Sequence, residues 1–366
     1  MVALDFPPVT GGIQTYLAEL ARRLPVHVIA PAAPAGLVDQ AIPGVTIERV
    51  PAARRAGWWA VPPLAARAVQ RYAQGGFAGV LLGHVKLAAA VPVLAAAGAR
   101  RCVVFAYGME VTSGRCKRLE RFGLKRAWRV VTISDYTGAH LERLGVPRDR
   151  LRRVPPGVAL PPAPATNEPG PHEPGPPLLL TVGRIETGEG YKGHDRMLEV
   201  LPDLANRFPG LTWVVVGAGS GLPALAAAVR ARGLEGVAKL VGAVDAPELA
   251  ALYARADVFV LPSSVIRVRG EERFEGFGIV YLEAASHGCP VVAGRAGGAP
   301  EAVDDGRTGL VVDAAAAGEL SDALARLLAD PALRRRMGEA GRQRVADGFT
   351  WDHAAQRLAR VLEEPA

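Results

Sequence analysis

The sequence predicts an α/β protein made of two doubly wound domains, each with a parallel sheet covered by helices on both faces. Short apolar runs alternate with helical patterns in the first half of the chain, and the same alternation restarts after residue 177. Between the halves, ten of the 23 residues from 155 to 177 are proline, a composition that cannot pack as a helix or a central strand. Apolar strands that alternate with helices are typical of parallel sheets, so the proline-rich segment separates two such sheets.

The predicted elements follow in chain order. In the first half the predicted strands are Val2–Phe6, Val26–Ala30, Gly79–Leu82, Arg101–Phe105 and Arg129–Ile133, and a helix is predicted over Gly12–Leu24. In the second half the predicted strands are Leu178–Val182, Thr212–Val216, Val237–Val241, Val258–Leu261, Pro290–Ala293 and Gly309–Val312, with helices such as His194–Arg207 and Leu222–Arg232. Ligands of doubly wound sheets bind at the carboxyl ends of the strands, so two such domains in tandem would bring two ligand-binding edges to one cleft.

Length and composition agree with two domains of ordinary size. The 366 residues are 49% hydrophobic and 22% charged, which is typical of a globular protein with an ample core. We predict an N-terminal domain at 1–160, a linker at 155–177 and a C-terminal domain at 178–349. There is no run of 18 apolar residues, no signal-peptide pattern and no close cysteine spacing. We therefore expect a cytoplasmic protein without disulfides or a zinc site.

The positive charge is concentrated in the first half of the chain. Residues 1–170 hold 22 Lys or Arg against 10 Asp or Glu, a balance of +12, whereas residues 171–366 have a balance of −5. One basic amphipathic stretch consists of Arg115, Lys117, Arg118, Arg121, Lys125, Arg126 and Arg129, interleaved with Leu119, Phe122, Leu124 and Trp128. A second basic-aromatic cluster consists of Arg54, Arg55, Trp58 and Trp59. Such faces favour an anionic partner, either membrane lipid or nucleic acid, and the alternative is a solvated basic surface.

The most informative segment is Glu275–Glu283, in which two carboxylates stand eight residues apart. The pattern predicts a loop that becomes a helix, with Glu275 at its mouth and Glu283 about two turns in, a rise of roughly 12 Å. That is about the span from the sugar to the ribose of a nucleotide-sugar. Gly276 and Gly278 would leave the amide groups of the helix N-terminus open to an anion or to sugar hydroxyls. The alternative is an amphipathic helix with solvated glutamates.

Two cations follow the first strand of the second half. Arg184 comes just after that strand, and Lys192 stands eight residues later before the next helix. A diphosphate leaving group gathers negative charge as its bond breaks, and fixed cations stabilise that charge. A forked Arg donor and a compact Lys charge suit this task, although both residues could also be surface cations on a loop.

Glycines open two of the predicted helices. Gly217 and Gly219 follow a strand, but Leu222 stands where a dinucleotide-binding fingerprint needs its third glycine, so we interpret them as a tight strand-to-helix turn. Gly11 and Gly12 open the first helix, where glycine allows a ligand to approach the backbone closely. A plain strand–loop–helix turn is the alternative at both places.

Together these motifs resemble the retaining GT-B glycosyltransferases of family 4, whose signature is two glutamates separated by seven residues. The resemblance runs from Pro7 to about Trp351 and includes the turn at 295–301. It implies two Rossmann-like domains facing a cleft, with the acceptor bound by the N-terminal domain and the donor by the C-terminal domain. It also implies that a helix at about 350–366 packs back on the first domain.

The resemblance assigns roles to individual residues. Arg184, Lys192 and Glu275 become the catalytic residues, with the two cations on the donor phosphates and the glutamate on the sugar hydroxyls. The residues assigned to donor binding are Gly12, Gly217, Val244, Gly276, Phe277, Gly278, Ile279 and Glu283, the last of these on the ribose. The acceptor side would contain Gly11, His84 and Tyr107, although a lone histidine such as His84 is often structural.

Tyr107 departs from the family pattern, because related enzymes commonly have His there. Tyrosine is a poor base near neutral pH. In this family, however, transfer is thought to take place on one face of the sugar, with the donor phosphate accepting the acceptor's proton. The replacement therefore bears on which acceptor is used.

The predicted function is transfer of a hexose, with mannose favoured, from a nucleotide-diphospho-sugar, with GDP favoured, to a hydroxyl acceptor. The nearest resemblance is to bacterial mannosyltransferases that act on phosphatidylinositol mannosides. No metal is expected, because the cations are side chains and no D-x-D pattern stands out. A lipid-linked acceptor, with peripheral contact at the inner face of the membrane, would explain the basic half, and no nucleic-acid partner is expected.

Three alternatives stay open. The first is a UDP-sugar-dependent hexosyl or N-acetylhexosaminyl transferase with a small-molecule or natural-product acceptor. The second is a sugar-nucleotide epimerase with the same two-domain plan, which the spacing of the two glutamates disfavours. The third is a non-enzymatic protein that binds anionic surfaces, for which strongly salt-dependent binding without donor affinity would be diagnostic.

Overall fold

The computed structural model describes residues 1–34, 36–39, 41–51, 58–112, 116–162 and 175–365. The chain divides into two compact units, one formed by Met1–Gly157 with Trp351–Ala366 and the other by Val158–Thr350. Arg54, Arg55 and Arg115 of the basic clusters, and most of the proline-rich segment, lie outside the described residues.

The first unit contains parallel strands, of which β3 and β4 are buried along their whole length. Its strands are β1 (His27–Pro31), β2 (Thr46–Val50), β3 (Val80–Leu82), β4 (Cys102–Ala106), β5 (Arg129–Thr132) and β6 (Leu151–Arg153). Its helices up to the proline-rich segment are α1 (Gly12–Arg23), α2 (Val61–Ala73), α3 (Val91–Ala96), α4 (Arg118–Leu124) and α5 (Asp135–Arg143). Strands β3, β4, β5 and β6 pair in that order, β1 pairs with β2, and all these pairs are parallel.

The predicted strand Val2–Phe6 is wrong in its length. Only Val2 forms a bridge, and it does so to both Ile29 and Leu82, which links β1 to β3. The chain bends at Leu4 and Asp5, so the pairing stops there. With Val2 at the centre, β1 and β2 extend the sheet to one side and β3 to β6 extend it to the other, which is the doubly wound order.

The second unit also contains a parallel sheet with helices between its strands. Its strands are β7 (Leu178–Val182), β8 (Thr212–Val216), β9 (Ala238–Gly242), β10 (Val258–Leu261), β11 (Ile266–Val268), β12 (Glu271–Arg273), β13 (Val291–Gly294) and β14 (Gly309–Val312). Its helices are α6 (His194–Arg207), α7 (Leu222–Ala231), α8 (Ala246–Arg255), α9 (Ile279–Ser286), α10 (Ala299–Ala302), α11 (Ala317–Ala329) and α12 (Pro331–Gly348). The main sheet runs β14-β13-β10-β7-β8-β9 and is parallel throughout.

The order of this second sheet is the doubly wound one, with the first strand, β7, between β8 and β10. The loops that follow β7 and β10 therefore leave the sheet toward opposite sides and open a crevice at the carboxyl ends of the strands. Each unit has its own apolar core, and the largest buried side chain of the second unit is Trp213, whose indole donates to Thr181 Oγ1 over 2.9 Å.

An antiparallel hairpin, β11 and β12, is added to this plan. Its two turn residues, Arg269 and Gly270, have φ values of 52° and 81°. Two consecutive left-handed residues are what a tight hairpin turn needs.

The last helix, α13 (Trp351–Glu363), belongs to the first unit. It packs on α1, where the Trp351 and Tyr16 rings lie 6.1 Å apart between centroids and Arg23 Nε lies 2.6 Å from Asp352 Oδ1. Of the helices in the described part of the chain, none combines the length and the apolar character that a membrane crossing requires.

Candidate active site

The predicted donor residues lie at the carboxyl edge of the second sheet. Arg184 and Lys192 lie between β7 and α6, Gly217 follows β8, and Glu275 lies between β10 and α9. Strands β7 and β10 are neighbours at the switch point, so the loop with the cations and the loop with Glu275 border the same crevice.

Glycines fix the path of the backbone around Glu275. Gly278 has a φ of 86°, and a Cβ there would lie 2.3 Å from the Tyr281 ring. Gly297 has a φ of 62°, and a Cβ there would lie 2.3 Å from the carbonyl oxygen of Glu275. The same carbonyl accepts a 2.8 Å hydrogen bond from Gly298 N. The glycine turn after β13 therefore supports the Glu275 loop directly.

The Glu275 carboxylate is placed in a mixed electrostatic environment. Burial raises the pKa of Glu275 above its usual value, the nearby Lys192 ammonium opposes that rise, and the Glu189 carboxylate adds to it. Hydrogen bonds from the backbone of Gly276 and Phe277 to this carboxylate also lower its pKa. The amide groups of Gly276 and Phe277, which precede the helix, are therefore used by Glu275 itself.

The prediction that Glu283 lies two helical turns beyond Glu275 is wrong. Helix α9 begins at Ile279, because the backbone at Gly278 is left-handed, so Glu283 stands only one turn into the helix. Four residues of helix rise about 6 Å, half of the predicted distance. The rest of the separation between the carboxylates is supplied by the loop from Glu275 to Gly278.

Glu283 is hydrogen-bonded to helix α8, a contact that the sequence did not predict. Its Oε2 accepts a 2.8 Å hydrogen bond from the Tyr253 hydroxyl of α8, and the Tyr253 ring stacks on His287 with centroids 5.3 Å apart. Burial raises the pKa of Glu283, and the Tyr253 hydroxyl opposes that rise. This arrangement orients one carboxylate oxygen and leaves the other as an acceptor for a hydroxyl.

The two predicted cations share a carboxylate partner. The Lys192 side chain is only 8% exposed, and its Nζ donates to Arg184 O over 2.7 Å and lies 3.3 Å from Glu189 Oε2. Arg184 is 67% exposed, and its Nη2 lies 3.4 Å from Glu189 Oε1. The Glu189 carboxylate, from the loop between the two cations, is therefore an ion-pair partner of both.

Close backbone approaches explain the glycines of these loops. A Cβ at Gly217 would lie 1.8 Å from Gly183 O, and a Cβ at Gly193 would lie 2.3 Å from Pro262 O. Both residues also have positive φ values, of 147° and 78°. The Arg184 loop is thus packed on the turn after β8, and the Lys192 turn is packed on the end of β10.

The remaining predicted donor residues differ in how far their side chains are buried. Val244 is half-buried in the turn after β9, and Ile279 is half-buried at the start of α9. The Phe277 side chain is 1% exposed, with its ring 6.2 Å from that of Phe349. Any role of Phe277 toward a ligand therefore belongs to its backbone.

The predicted acceptor-side residues lie in the first unit at the carboxyl ends of its strands. Gly11 caps α1 with a φ of 155°, a backbone conformation that residues with a side chain rarely adopt, so glycine suits this turn. Gly12, predicted for donor binding, is the first residue of α1 and is exposed. His84 follows β3 and Tyr107 follows β4, and their rings lie 6.5 Å apart between centroids.

Hydrogen bonds define what Tyr107 and His84 can do. The Tyr107 hydroxyl donates to Gly83 O over 3.1 Å, and burial raises the pKa of Tyr107 well above its usual value. His84 Nδ1 accepts from Lys86 N over 3.0 Å, and burial lowers the pKa of His84, while the Glu110 charge opposes that shift. The neutral imidazole therefore carries its proton on Nε2, so His84 can donate there but cannot act as a base.

We expect Tyr107→Phe to lower the free energy of unfolding by about 1 kcal/mol, because a buried hydroxyl loses its carbonyl partner. Denaturant unfolding followed by circular dichroism measures this difference. Tyr72→Phe is the matched control, since the Tyr72 hydroxyl lies 3.4 Å from Gly98 O at an exposed position and should contribute little. Equal effects of the two substitutions would contradict the structural role of the Tyr107 hydroxyl.

Three residues of these sites were missed by the sequence interpretation. They are Glu189 between the cations, Tyr253 on Glu283, and Glu110, whose Oε1 accepts a 2.5 Å hydrogen bond from Tyr107 N. Glu110 and Glu189 stand next to predicted site residues, and that proximity was the available signal. Within the described ranges, no group of three or more His, Cys, Asp or Glu side chains is arranged to hold a metal ion.

Two family models match the chain. The model described as Glycosyltransferase Family 4 matches residues 10–160, and the model described as Glycosyl transferases group 1 matches residues 164–344. The GDP-mannose-dependent alpha-(1-6)-phosphatidylinositol monomannoside mannosyltransferase of Mycolicibacterium smegmatis is 35% identical over 381 residues, which span 99% of this chain and 97% of that protein. The protein of the same description from Mycobacterium tuberculosis H37Rv is 34% identical over 391 residues, with the same coverage.

Solved structures agree in fold. Sucrose-phosphate synthase from Thermosynechococcus elongatus superimposes with a TM-score of 0.78 at 24% identity, covering 96% of this chain and 93% of that one. Anabaena Alr3699/HepE in complex with UDP and glucose superimposes with a TM-score of 0.77 at 19% identity, covering 100% and 99%. These likenesses establish the GT-B fold, and together with the family matches they show that the chain belongs to glycosyltransferase family 4.

Proposed function

We propose that this glycosyltransferase moves mannose from GDP-mannose to a hydroxyl of a phosphatidylinositol-linked acceptor, with retention of anomeric configuration. The donor and acceptor are supported by the likeness, over 99% of the chain, to the Mycolicibacterium smegmatis enzyme of that description. The observation that carries the proposal for the reaction centre is the position of Glu275 beside Lys192 at the switch point of the second sheet.

In this proposal the cations stabilise the leaving group. As the bond between the sugar C1 and the phosphate oxygen breaks, charge grows on the diphosphate, and the Arg184 guanidinium and the Lys192 ammonium offset it. Lys192 has three N–H donors, and its contacts with Arg184 O and Glu189 leave one for a phosphate oxygen. Because side chains supply this charge, we expect transfer to persist in the presence of EDTA.

Glu275 and Glu283 fix the two ends of the donor in the same proposal. An ionised Glu275 accepts hydrogen bonds from sugar hydroxyls, and the Lys192 charge favours that ionised form. Glu283, oriented by the Tyr253 hydroxyl, accepts from the ribose hydroxyls. Both contacts position C1 and the diphosphate relative to the cations.

The acceptor proton needs a destination, and neither Tyr107 nor His84, the two predicted acceptor-side side chains, suits that role. The Tyr107 hydroxyl donates a hydrogen bond to Gly83 O, and neutral His84 presents an N–H group at Nε2. We therefore propose that the acceptor hydroxyl transfers its proton to the departing phosphate oxygen while its oxygen bonds to C1 on the same face. GDP leaves with that proton, so the charges balance without a protein base.

We expect Glu189→Gln to tighten the binding of GDP several-fold, because the diphosphate would no longer compete with a carboxylate for Arg184 and Lys192. Isothermal titration with GDP at low salt measures this change, which should shrink as salt screens the exposed Arg184. Glu199→Gln is the control, because Glu199 is exposed on α6 and its ion-pair partner among the described residues is Arg196. Weaker binding in Glu189→Gln than in the control would contradict the competition.

A panel of nucleotides tests the choice of donor. Thermal shifts with GDP, UDP, ADP and dTDP, each alone and as the hexose derivative, should show the largest stabilisation with GDP and GDP-mannose. No shift with any nucleotide would overturn the transferase proposal. Strong stabilisation by UDP alone would replace the donor and leave the mechanism in place.

UDP-sugar transfer is the second candidate, and one observation favours it. Alr3699/HepE, similar in fold over nearly its whole length, was solved with UDP and glucose. Its 19% identity supports the fold alone, whereas the mannosyltransferases are similar at 34–35% identity over 99% of the chain. We therefore place GDP-mannose first.

We also propose that the first unit contacts an anionic membrane through α4 and its surroundings. Leu119 and Phe122 are 58% and 43% exposed on α4 among exposed Lys117, Arg118 and Lys125. Trp59, which is 79% exposed, follows Trp58, and the Lys117 ammonium lies 5.3 Å from the Trp58 ring centroid. Apolar and basic side chains on one face are the composition of an interfacial helix.

We expect Leu119→Ser with Phe122→Ser to weaken sedimentation with vesicles that contain phosphatidylinositol about tenfold, because the apolar anchors are lost. Val93→Ser with Val265→Ser is the matched control, since both valines are exposed outside α4. An equal loss in the two double variants would contradict membrane contact through α4.

A further inference from the structure

A group of arginines lies at the edge of the first sheet where its parallel strands begin. Arg100 precedes β4, Arg129 opens β5, and Arg150 directly precedes β6. Because these strands are parallel, their amino ends meet at one edge. The acceptor-side residues His84 and Tyr107 follow the carboxyl ends of β3 and β4, at the opposite edge. A five-residue strand separates the two edges by about 16 Å.

A depression of about 450 Å³ lies at this amino edge, and we call it the arginine pocket. It is lined by Arg100, Arg126, Trp128, Arg129, Asp149 and Arg150, together with Ala127 and Pro365. Four arginines and one aspartate, Asp149, therefore line the pocket.

Two of the arginines are fixed by protein contacts. Arg150 Nη1 donates to Lys125 O over 2.6 Å and to Ala127 O over 3.2 Å. Arg129 Nε donates to Glu364 Oε2 over 2.6 Å. These contacts hold the two guanidinium groups in place before any ligand arrives, which reduces the ordering that binding requires.

The other two arginines lack a carboxylate partner in the described part of the chain. Arg100 is exposed and makes no ion pair there, and Arg126 makes none but stacks on the Phe122 ring at 3.6 Å from its centroid. Arg150 also has no carboxylate partner within the same ranges. Three positive charges around the pocket are thus uncompensated by neighbouring ion pairs.

The surroundings of the pocket are strongly positive. Arg152 and Arg129 lower the pKa of Glu364 to about 2 through hydrogen bonds and charge. The Glu364 carboxylate is therefore already engaged by Arg129 and Arg152.

We propose that the arginine pocket binds a phosphate group, carried either by an anionic lipid headgroup or by a soluble phosphate ester. Planar guanidinium forks match the oxygens of a phosphate and can bind them in pairs. The proposal does not rest on transferase activity, because the candidate donor site belongs to the second unit. Arg126 joins the pocket to Phe122 on α4, so a lipid headgroup would bring its acyl chains toward the proposed membrane-contacting face.

The test compares two double variants with the same net charge. Arg100→Gln with Arg126→Gln removes two of the three pocket arginines that have no ion pair in the described part of the chain and leaves Arg150, which is bonded to backbone carbonyls. We therefore expect the fold to be retained, as thermal unfolding would verify. Arg230→Gln with Arg255→Gln is the matched control, because both side chains are exposed in the second unit and neither forms an ion pair among the described residues. Each protein is titrated calorimetrically with glycerol 3-phosphate in phosphate-free buffer and sedimented with phosphatidylinositol or phosphatidylcholine vesicles.

We expect the pocket variant to bind glycerol 3-phosphate at least tenfold more weakly than the wild type, with the control within twofold. A parallel loss of binding to phosphatidylinositol vesicles identifies a lipid headgroup as the source of the phosphate. Unchanged vesicle binding, with weaker glycerol 3-phosphate binding, identifies a soluble ester. Unchanged binding of both by the pocket variant, or an equal loss in the control, would overturn the proposal whether or not the protein transfers mannose.

Discussion

Glu275→Gln should lower the rate of mannosyl transfer at pH 7 by about 10²- to 10³-fold, the range measured when a single charge-stabilising group is removed. Glutamine keeps the shape of the side chain but loses the charge that accepts hydrogen bonds from sugar hydroxyls. The loss should be mainly in kcat, because the diphosphate contacts of Arg184 and Lys192 stay in place. Single-turnover transfer from GDP-mannose measures it.

The same substitution should raise the thermal stability at pH 7. Burial raises the pKa of Glu275 in the folded protein above its unfolded value, so between these two values the folded state binds more protons. The free energy of unfolding therefore falls as pH rises from the unfolded pKa to the folded pKa. Above the folded pKa, the buried ionised carboxylate keeps the protein less stable than it is at low pH. Glutamine removes this penalty, and the difference between the variants should vanish below the unfolded pKa of about 4.3.

Glu199→Gln is the matched control for both measurements, because Glu199 lies on the exposed face of α6. It should leave rate and melting temperature unchanged. A Glu275→Gln variant with full activity would remove Glu275 from the site. A variant that is inactive because it is unfolded would leave the role to be tested by Glu275→Asp, which keeps the charge and should retain partial activity.

Lys192→Gln should produce the second large effect, again about 10²- to 10³-fold in transfer rate, because one of the two cations on the leaving group is lost. It should also lower the free energy of unfolding by up to about 3 kcal/mol, since Glu189, only 10% exposed, loses its close ammonium partner. Activity assays and denaturant unfolding report the two effects separately.

Adding Glu189→Gln to Lys192→Gln separates the structural role of Lys192 from its catalytic role. The double variant places two neutral amides where the ion pair stood, so most of the lost stability should return. The transfer rate should stay low, because no cation is restored. Recovery of the rate together with stability would mean that Lys192 only supports the loop.

Buried apolar strands were the part of the fold that the sequence predicted well. Leu178–Val182, Thr212–Val216, Val258–Leu261 and Gly309–Val312 are strands with the predicted bounds. These runs have no competing periodicity, because a parallel strand covered on both faces needs apolar side chains at every position.

Partly exposed strands were missed because they lack a continuous apolar run. β2 and β6 are edge strands with charged residues and half-buried side chains, so they show neither alternation nor an apolar run. The hairpin of β11 and β12 turns through Arg269 and Gly270 rather than an Asn-Gly or Asp-Gly pair, and each of its strands has only three residues.

The candidate site was predictable where backbone geometry restricts the residue type. Gly278 and Gly297 have positive φ values and tight neighbours around Glu275, and such glycines mark their positions in the sequence. Glu189 was not predictable, because its place between Arg184 and Lys192 depends on how the loop from 187 to 190 folds. Tyr253 reaches Glu283 from another helix, a contact that spacing along the chain does not encode.

The most direct test of the central claim is to identify the product formed from GDP-mannose and a phosphatidylinositol mannoside acceptor. The account predicts that the protein transfers one mannose to the acceptor, that nuclear magnetic resonance shows the new linkage to be α, and that GDP is released in equal amount. A β linkage would contradict retention. Consumption of a UDP-sugar, with GDP-mannose left intact, would contradict the donor and favour the second candidate.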